Sequence, residues 1–302
     1  MRIAYKTKFG VFYQGEAEKV LADKTFAKYR NKVNLIFTSP PFPLNRKKKY
    51  GNLQGQEYIS WLSELAILFK EYLTEDGSVV LELGNSWEPQ KPLMSTFSLR
   101  ALLAFLEEGG YNLCQQFIWY NSAKLPSPAQ WVNVERIRVK DSFTYIWWMS
   151  KTAFPKADNR RVLIEYSDSM KKLLKNGKYN SGKRPSEHHI GDKSFLKNNS
   201  GAIPSNVITV ANTHSSTNYQ KYCKLHGLEL HPARMPSEIP RFFIKFLTDP
   251  GDLIMDPFGG SNTTGAVAEE LKRRWIAFEP KEEYISGSHG RFSKESNLKT
   301  YL

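Results

Sequence analysis

A chain of 302 residues with 40% hydrophobic content can bury a substantial core, which excludes global disorder. It holds no apolar run of the ~18 residues that span a bilayer, and its first twelve residues are too polar for a secretory signal. A net charge of +13 points to a polyanionic partner, with nucleic acid ahead of a membrane surface because no basic amphipathic helix stands out.

The elements read in chain order as an α/β protein. Val11–Gln14 is a short strand before a helix over Ala17–Tyr29. Val33–Thr38 is continuously apolar, as expected of a strand covered on both faces of a parallel sheet. It stops at Ser39-Pro40-Pro41-Phe42, where two prolines remove ladder donors. Gln56–Leu73 places Ile59, Leu62, Ala66, Phe69 and Leu73 on one helical face. Glu75-Asp76-Gly77 then turns the chain into a strand over Ser78–Leu83. A helix over Phe97–Glu108 ends at Gly109-Gly110. Strands follow at Gln115–Tyr120 and Ser142–Met149, the second carrying the aromatic run YIWWM, which reads as core.

From Lys156 to Lys224 the chain changes character. It carries 13 Lys or Arg against 5 Asp or Glu, is rich in Asn, Ser, Gly and His, and lacks apolar periodicity. Beyond it, Glu238–Leu247 is helical, Leu253–Met255 is a strand ending at Asp256, Thr264–Lys272 is a helix, and Trp275–Phe278 is a strand ending at Glu279. Alternating strands and helices imply a mainly parallel sheet with helices on both faces. The length fits a single large domain with an insertion, the core formed by residues 1–151 and 231–302 and the insertion by 152–230. The two cysteines, Cys114 and Cys223, fit no metal-ligand spacing, and His188-His189 has no accompanying ligands, so no metal is expected. The expected setting is the reducing cytoplasm.

Two stretches carry chemistry. DPFGGSNTTG, Asp256–Gly265, lies where a strand becomes a helix. Gly259 and Gly260 permit close backbone approach, and Asn262, Thr263 and Thr264 can cap the helix. The acid Glu279 closes the next strand 23 residues after Asp256, placed for the hydroxyls of a ribose. Neither GxGxxG nor GxxxxGK is present, so a ligand with a ribose and a carboxylate but no phosphate fits better, and S-adenosylmethionine is such a ligand.

With TSPPF after one strand and DPFGGSNTT after another, the chain resembles the amino-group DNA methyltransferases in their β order of motifs, and more narrowly the PvuII-type cytosine-N4 methyltransferases. RKKKYGN, SAKLPSPAQWVN (Ser122–Asn133), IRVKD (Ile137–Asp141), HPARMP (His231–Pro236), RPSEHHIG and GAIPSN extend the resemblance over nearly the whole chain. It implies a Rossmann-like methyltransferase sheet with an inserted target-recognition region. It also implies methyl transfer to the N4 amino group of a flipped cytosine in double-stranded DNA at CAGCTG, and a cognate restriction endonuclease acting on the same site.

The implied catalytic residues are Ser39, Pro40, Pro41 and Phe42. The N4 lone pair is delocalised into the ring, and acceptors at Ser39 and the Pro40 carbonyl would draw the nitrogen toward sp3 geometry, while Phe42 stacks on the base. Glu82 stands where the PvuII-type pattern has aspartate; it is either a proton acceptor or a strand-end carboxylate. The implied cofactor residues are Glu16, Asp256, Pro257, Phe258, Gly259, Gly260, Ser261, Thr263 and Glu279. Arg46, Lys47 and Lys49 are placed for DNA phosphates, and Arg184, His188 and Lys221 are of the type that reads DNA in the insertion. Adenine-N6 methylation, a catalytically inactive DNA-binding protein on the same fold, and an RNA target are the alternatives.

Overall fold

Pro40-Pro41 ends one strand and Gly259-Gly260 follows the end of its neighbour, and the sheet brings these two chain exits side by side. In the computed structural model, which describes residues 1–41, 55–193, 195–214, 217–292 and 299–300, the first part of the chain forms β1 (Arg2–Lys6), β2 (Gly10–Gln14), α1 (Ala17–Ala22), β3 (Val33–Thr38), α2 (Gly55–Tyr72), β4 (Leu73–Leu83), α3 (Phe97–Glu107), β5 (Asn112–Tyr120) and β6 (Phe143–Ser150). After α4 (Asp168–Asn176), β7 (Gly182–Lys183) and β8 (His189–Ile190), it continues with β9 (Val207–Thr209), α5 (Thr217–Leu225), α6 (Glu238–Leu247), β10 (Leu253–Asp256), α7 (Thr263–Glu270), β11 (Arg274–Glu279), α8 (Glu282–Ser288) and β12 (Lys299–Thr300).

The main sheet has the order β12-β1-β2-β11-β10-β3-β4-β6-β5-β9. Its centre, β2, β11, β10, β3 and β4, is parallel, and β6 returns antiparallel between β4 and β5. The C-terminal ends of the parallel strands, the start of β6 and the end of β5 therefore share one edge. Ligands of open α/β sheets bind at such an edge.

Both faces of the centre are covered, which is why its strands are unbroken apolar runs. On one face Ile36, Val79, Met255 and Ile276 pack with α1, α2 and α3 through Val20, Leu62, Phe69 and Phe105. On the other, the Phe243 ring of α6 lies 5.8 Å from Phe37 and 5.0 Å from Phe117, and Phe246 lies 5.0 Å from Trp148. The YIWWM strand is core as expected, with Trp147 fully buried.

Several boundaries differ from the expectation for local reasons. The helix expected over Ala17–Tyr29 breaks at Asp23, which adopts an extended conformation and accepts from Thr25 N at 2.8 Å, starting a separate 3-10 helix over Lys24–Tyr29. β4 begins at Leu73, because Leu73 already pairs with Val33 before the register shifts and pairing resumes at Ser78 with Leu35. Asp158–Ser205 forms its own compact unit, narrower than the expected insertion. Residues 206–230 belong to the larger unit: β9 pairs with β5, and Tyr219 and Cys223 of α5 are fully buried.

Within Asp158–Ser205, Ser167 caps α4 and Gly177 ends it in the left-handed conformation, local signals that the lack of apolar periodicity hid. Gly201 is the one buried residue among those described there. Hydrogen bonds and small contacts therefore organise the unit, such as the Ile164–Ala202 bridge and the Tyr179–Phe195 ring pair at 5.3 Å.

Gly10 tests the packing of the central sheet. A Cβ there would stand 2.1 Å from the buried indole of Trp275, its neighbour in register. Gly10→Ala is expected to lower stability by about 1–3 kcal/mol through overpacking, read as a reduced denaturant midpoint. Among the described residues no helix is long and apolar enough to cross a membrane, and no group of three or more His, Cys, Asp or Glu is placed to hold a metal ion.

Candidate active site

The two chain exits are tied together by one carboxylate. Asp256, at the end of β10, accepts from Thr38 Oγ1 at 2.9 Å and Phe258 N at 3.2 Å through one oxygen, and from Thr264 Oγ1 at 2.6 Å through the other. Burial pushes its carboxyl up to about 6, against the pull of these donors. Both oxygens are engaged by protein groups, so Asp256 fixes the end of β3 against the glycine loop.

The loop is shaped for close approach. Gly260 has φ +49°, and a Cβ on it would meet the His231 imidazole at 3.0 Å; a Cβ on Gly259 would meet the Phe12 ring at 2.9 Å. Asn262, also left-handed, accepts from Gly265 N at 3.1 Å to cap α7 and donates to the Tyr5 hydroxyl at 2.8 Å. Ser261 is held from below, its Oγ accepting from Arg291 at 2.7 Å. Burial lowers that guanidinium to about 10.

Glu279 ends β11 with its carboxylate accepting from Gly260 N at 3.1 Å and Lys281 N at 3.0 Å. Burial raises it to about 7, the two backbone donors opposing. Glu16 stands at the entrance to α1, half-exposed and ion-paired with Lys19 at 2.8 Å.

Two cavities open at this edge. One, of about 290 Å³, is lined by Glu16, Trp61, Pro257, Phe258, Glu279 and Tyr284 among others. The other, of about 220 Å³, is lined by Glu82, Trp119, Arg234, Asp256, Gly260 and Thr263 among others. Ser39, His231, Ala233 and Phe258 belong to both walls. Pro40 and Pro41 line the first. Ser39 hydrogen-bonds through Oγ to Glu82 Oε2 in the second, and Glu82 is buried.

The expected site residues thus divide into three groups. Ser39, Pro40, Pro41 and Glu82 meet Glu16, Glu279 and the Asp256–Thr263 loop at one place. Phe42, Arg46, Lys47 and Lys49 lie outside the described residues. Arg184 and His188 belong to the β7–β8 hairpin of the smaller unit, where Arg184 N donates to His188 O at 2.8 Å, while Lys221 is exposed on α5 of the larger unit.

The structure adds His231, Arg234, Trp61, Trp119 and Tyr284 to the walls. The first two lie in HPARMP, whose proline-bounded spelling marks a fixed loop but does not say where it packs. Trp61 hydrogen-bonds to Glu18 through its indole nitrogen, with its ring 5.6 Å from Phe258.

These residues suit S-adenosylmethionine. A buried carboxylate beside the first cavity can accept from a ribose, and Phe258 and Trp61 offer aromatic faces to an adenine. Arg234 Nε is buried without a hydrogen-bond partner among the described residues, and Arg234 and Arg291 both lie over the Tyr219 ring, at 6.0 and 4.8 Å. Arg234 also lines the second cavity, so its guanidinium brings a cation to a wall where a carboxylate would answer it.

Comparison with known proteins points to one family. Residues 33–289 match a family model described as DNA methylase. The Type II methyltransferase M.PvuII of Proteus hauseri is 45% identical over 96% of this chain and 85% of its own. A solved structure of the PvuII DNA methyltransferase, described as cytosine-N4-specific, superposes with a TM-score of 0.76 at 38% identity, covering 96% of this chain and 89% of that one. A Thermus thermophilus protein described as "Putative DNA Modification Methylase" and solved with S-adenosyl-L-methionine gives a TM-score of 0.57 at 16% identity, over 94% of both chains, a likeness of fold alone.

Proposed function

The chain belongs to the DNA methylase family, and from that membership we infer that it is an S-adenosylmethionine-dependent, cytosine-N4-specific DNA methyltransferase acting on a cytosine flipped from duplex DNA. We propose CAGCTG as its site and a modification role beside a cognate endonuclease in the cytoplasm. Residues 152–230 are the proposed target-recognition region, with Arg184, His188 and Lys221 among its readers of DNA and Arg46, Lys47 and Lys49 on phosphates. The observation that carries the reading is Ser39: it stands in the wall shared by the two cavities and is hydrogen-bonded to the buried Glu82.

Bound cofactor supplies an electrophilic methyl group on a sulfonium. The chain's residues do the rest. Pro40 and Pro41 fix the backbone so that the Pro40 carbonyl keeps its direction. Ser39 Oγ donates to Glu82, which leaves its lone pairs to accept from N4. The Ser39–Glu82 pair would take up the proton that N4 loses on gaining the methyl group, which S-adenosylmethionine held by Glu279, Arg234 and the Asp256–Thr263 loop would supply. Holding methyl donor and amine in line supplies much of the rate.

Mass spectrometry of hydrolysed DNA after incubation with protein and cofactor tests the reading. N4-methylcytosine is expected; N6-methyladenine alone overturns it, as does cofactor and DNA binding without any transfer. Sequencing of the modified DNA locates the site, and methylation elsewhere than CAGCTG overturns that assignment alone.

Arg234 gives an independent check on the cofactor. Its guanidinium, in the wall of the second cavity, fits the carboxylate of the methionine moiety. Arg234→Gln is expected to raise the cofactor Kd about tenfold or more, the worth of one charge-assisted hydrogen bond. Calorimetric titration with S-adenosylhomocysteine, which keeps that carboxylate, reads it; an unchanged Kd overturns the contact.

A further inference from the structure

Residues 121–142, which join β5 to β6, take no part in the chemistry described above, although SAKLPSPAQWVN and IRVKD are among the most distinctive phrases of the sequence. They rise from the catalytic edge: β5 ends there after Trp119, which lines the cavity shared with Glu82, and β6 starts there.

The connection is tightly fixed. Asp141, only 7% exposed in its side chain, accepts from Asn85 Nδ2 at 2.9 Å and Lys124 Nζ at 2.8 Å. Asp141 N donates to Ser127 O, and Lys140 Nζ donates to Ser122 O, so its two arms lie side by side. The Arg138 guanidinium lies 3.9 Å over the Trp87 ring and donates to Pro92 O at 2.8 Å. Asn85 and Trp87 follow β4 directly, a few residues beyond Glu82.

A segment so well anchored nevertheless leaves its apolar side chains in solvent. Leu125 is 80% exposed on one arm, and on the other Val139 is 87% and Ile137 61% exposed. An exposed apolar side chain on a mobile loop needs no explanation. Several on a fixed one, at a ligand-binding edge, mark a surface that a partner covers. The partner's charge is legible beside them: Ile137 and Val139 alternate with Arg136, Arg138 and Lys140, the last two held against Trp87 and Ser122, and the anion Asp141 is already taken up by Lys124. Cations flanking apolar tips suit a nucleic-acid duplex, phosphates meeting the former and bases the latter.

We propose that Leu125 and Val139 form an apolar wedge that enters the DNA and occupies the space the target cytosine leaves when it swings into the site. The proposal rests on the base-flipping reading above. A nucleotide removed from the stack leaves unstacked neighbours, and an inserted aliphatic side chain offsets that loss. The wedge is rigidly referenced to the β4 end through Asn85 and Trp87, so it stands at a fixed offset from Glu82, as a filler of the vacated position must.

The test compares the Leu125→Ala/Val139→Ala double variant with the wild type in single-turnover methylation of two duplexes, one fully paired and one with the target cytosine opposite an abasic position. On the paired duplex the variant is expected to be slower by about ten- to a hundredfold, because extrusion there is costly. On the abasic duplex, where extrusion is cheap, the two proteins are expected to agree within about threefold. Equal losses on both duplexes, or no loss on either, overturn the wedge. A wild type that methylates neither duplex overturns the methyltransferase reading instead. Both side chains are exposed, so the variant keeps its fold, which an unchanged S-adenosylhomocysteine Kd verifies.

Discussion

Ser39→Ala is expected to slow methyl transfer by about 10²–10⁴-fold while leaving cofactor affinity within about threefold. The N4 lone pair is unavailable while it is shared with the ring, and in the proposed mechanism Ser39 answers as an acceptor whose own proton is held elsewhere. Ser39 donates to Glu82, so its lone pairs are turned toward the cavity. Alanine removes that acceptor and leaves Glu82, buried at 7% exposure, without one of its partners. Glu82→Gln keeps the volume but cannot take a proton, and it is expected to lose a similar factor. The two act as a unit, so the double variant should be scarcely slower than either single one. Single-turnover rates at saturating DNA and cofactor measure all three. Additive losses would show that Glu82 serves only the strand end, and a cofactor Kd that rises with the fall in rate would show that Ser39 belongs to the cofactor cavity instead.

How much of this was legible in the sequence depends on the range of the forces involved. The exit of β3 at Ser39-Pro40-Pro41 and the glycine turn after β10 could be read because proline and glycine act on their own backbone. Their meeting was also foreseeable, since parallel strands deliver their C-terminal ends to one edge. The clamp that fixes the distance, Asp256 between Thr38 and Thr264, could not be read, because it depends on register between residues 218 apart. His231 and Arg234 were visible as a phrase and invisible as wall, since their place comes from a loop packing over Gly260 and Tyr219. The Asp23 break was in reach of local chemistry, for Asp-Lys-Thr is a capping sequence. β1 and α5 were not, being too polar to show a period; Tyr219 and Cys223 are packed against α8, and Tyr5 against Phe12, Trp275 and the turn that follows α8.

The burial of Glu279, the proposed ribose acceptor, gives it a pH signature. Its carboxyl is raised to about 7, above the usual carboxylate range, chiefly by desolvation. In the free protein the folded state therefore retains a proton that the unfolded chain releases near pH 4–5. Stability contributed by this group falls as pH rises from there and levels off above about 7. Asp256, raised to about 6, adds in the same direction over a lower window. Ribose hydroxyls donate, so they favour the ionised form. Cofactor affinity should consequently increase as pH rises through about 7, opposite in sign to the stability of the free protein. Glu279→Gln cannot ionise. It is expected to bind S-adenosylhomocysteine about a hundredfold more weakly at pH 8, the loss of charge-assisted bonds to the two hydroxyls. It should also flatten the affinity profile between pH 6 and 8 and remove the higher of the two steps in the stability profile. Calorimetric titration across that range, paired with denaturant unfolding of the ligand-free protein, measures both curves. A wild-type affinity that is level from pH 6 to 8, or a variant that keeps the slope, would remove Glu279 from the ribose and leave it as a strap for the glycine loop through Gly260 N.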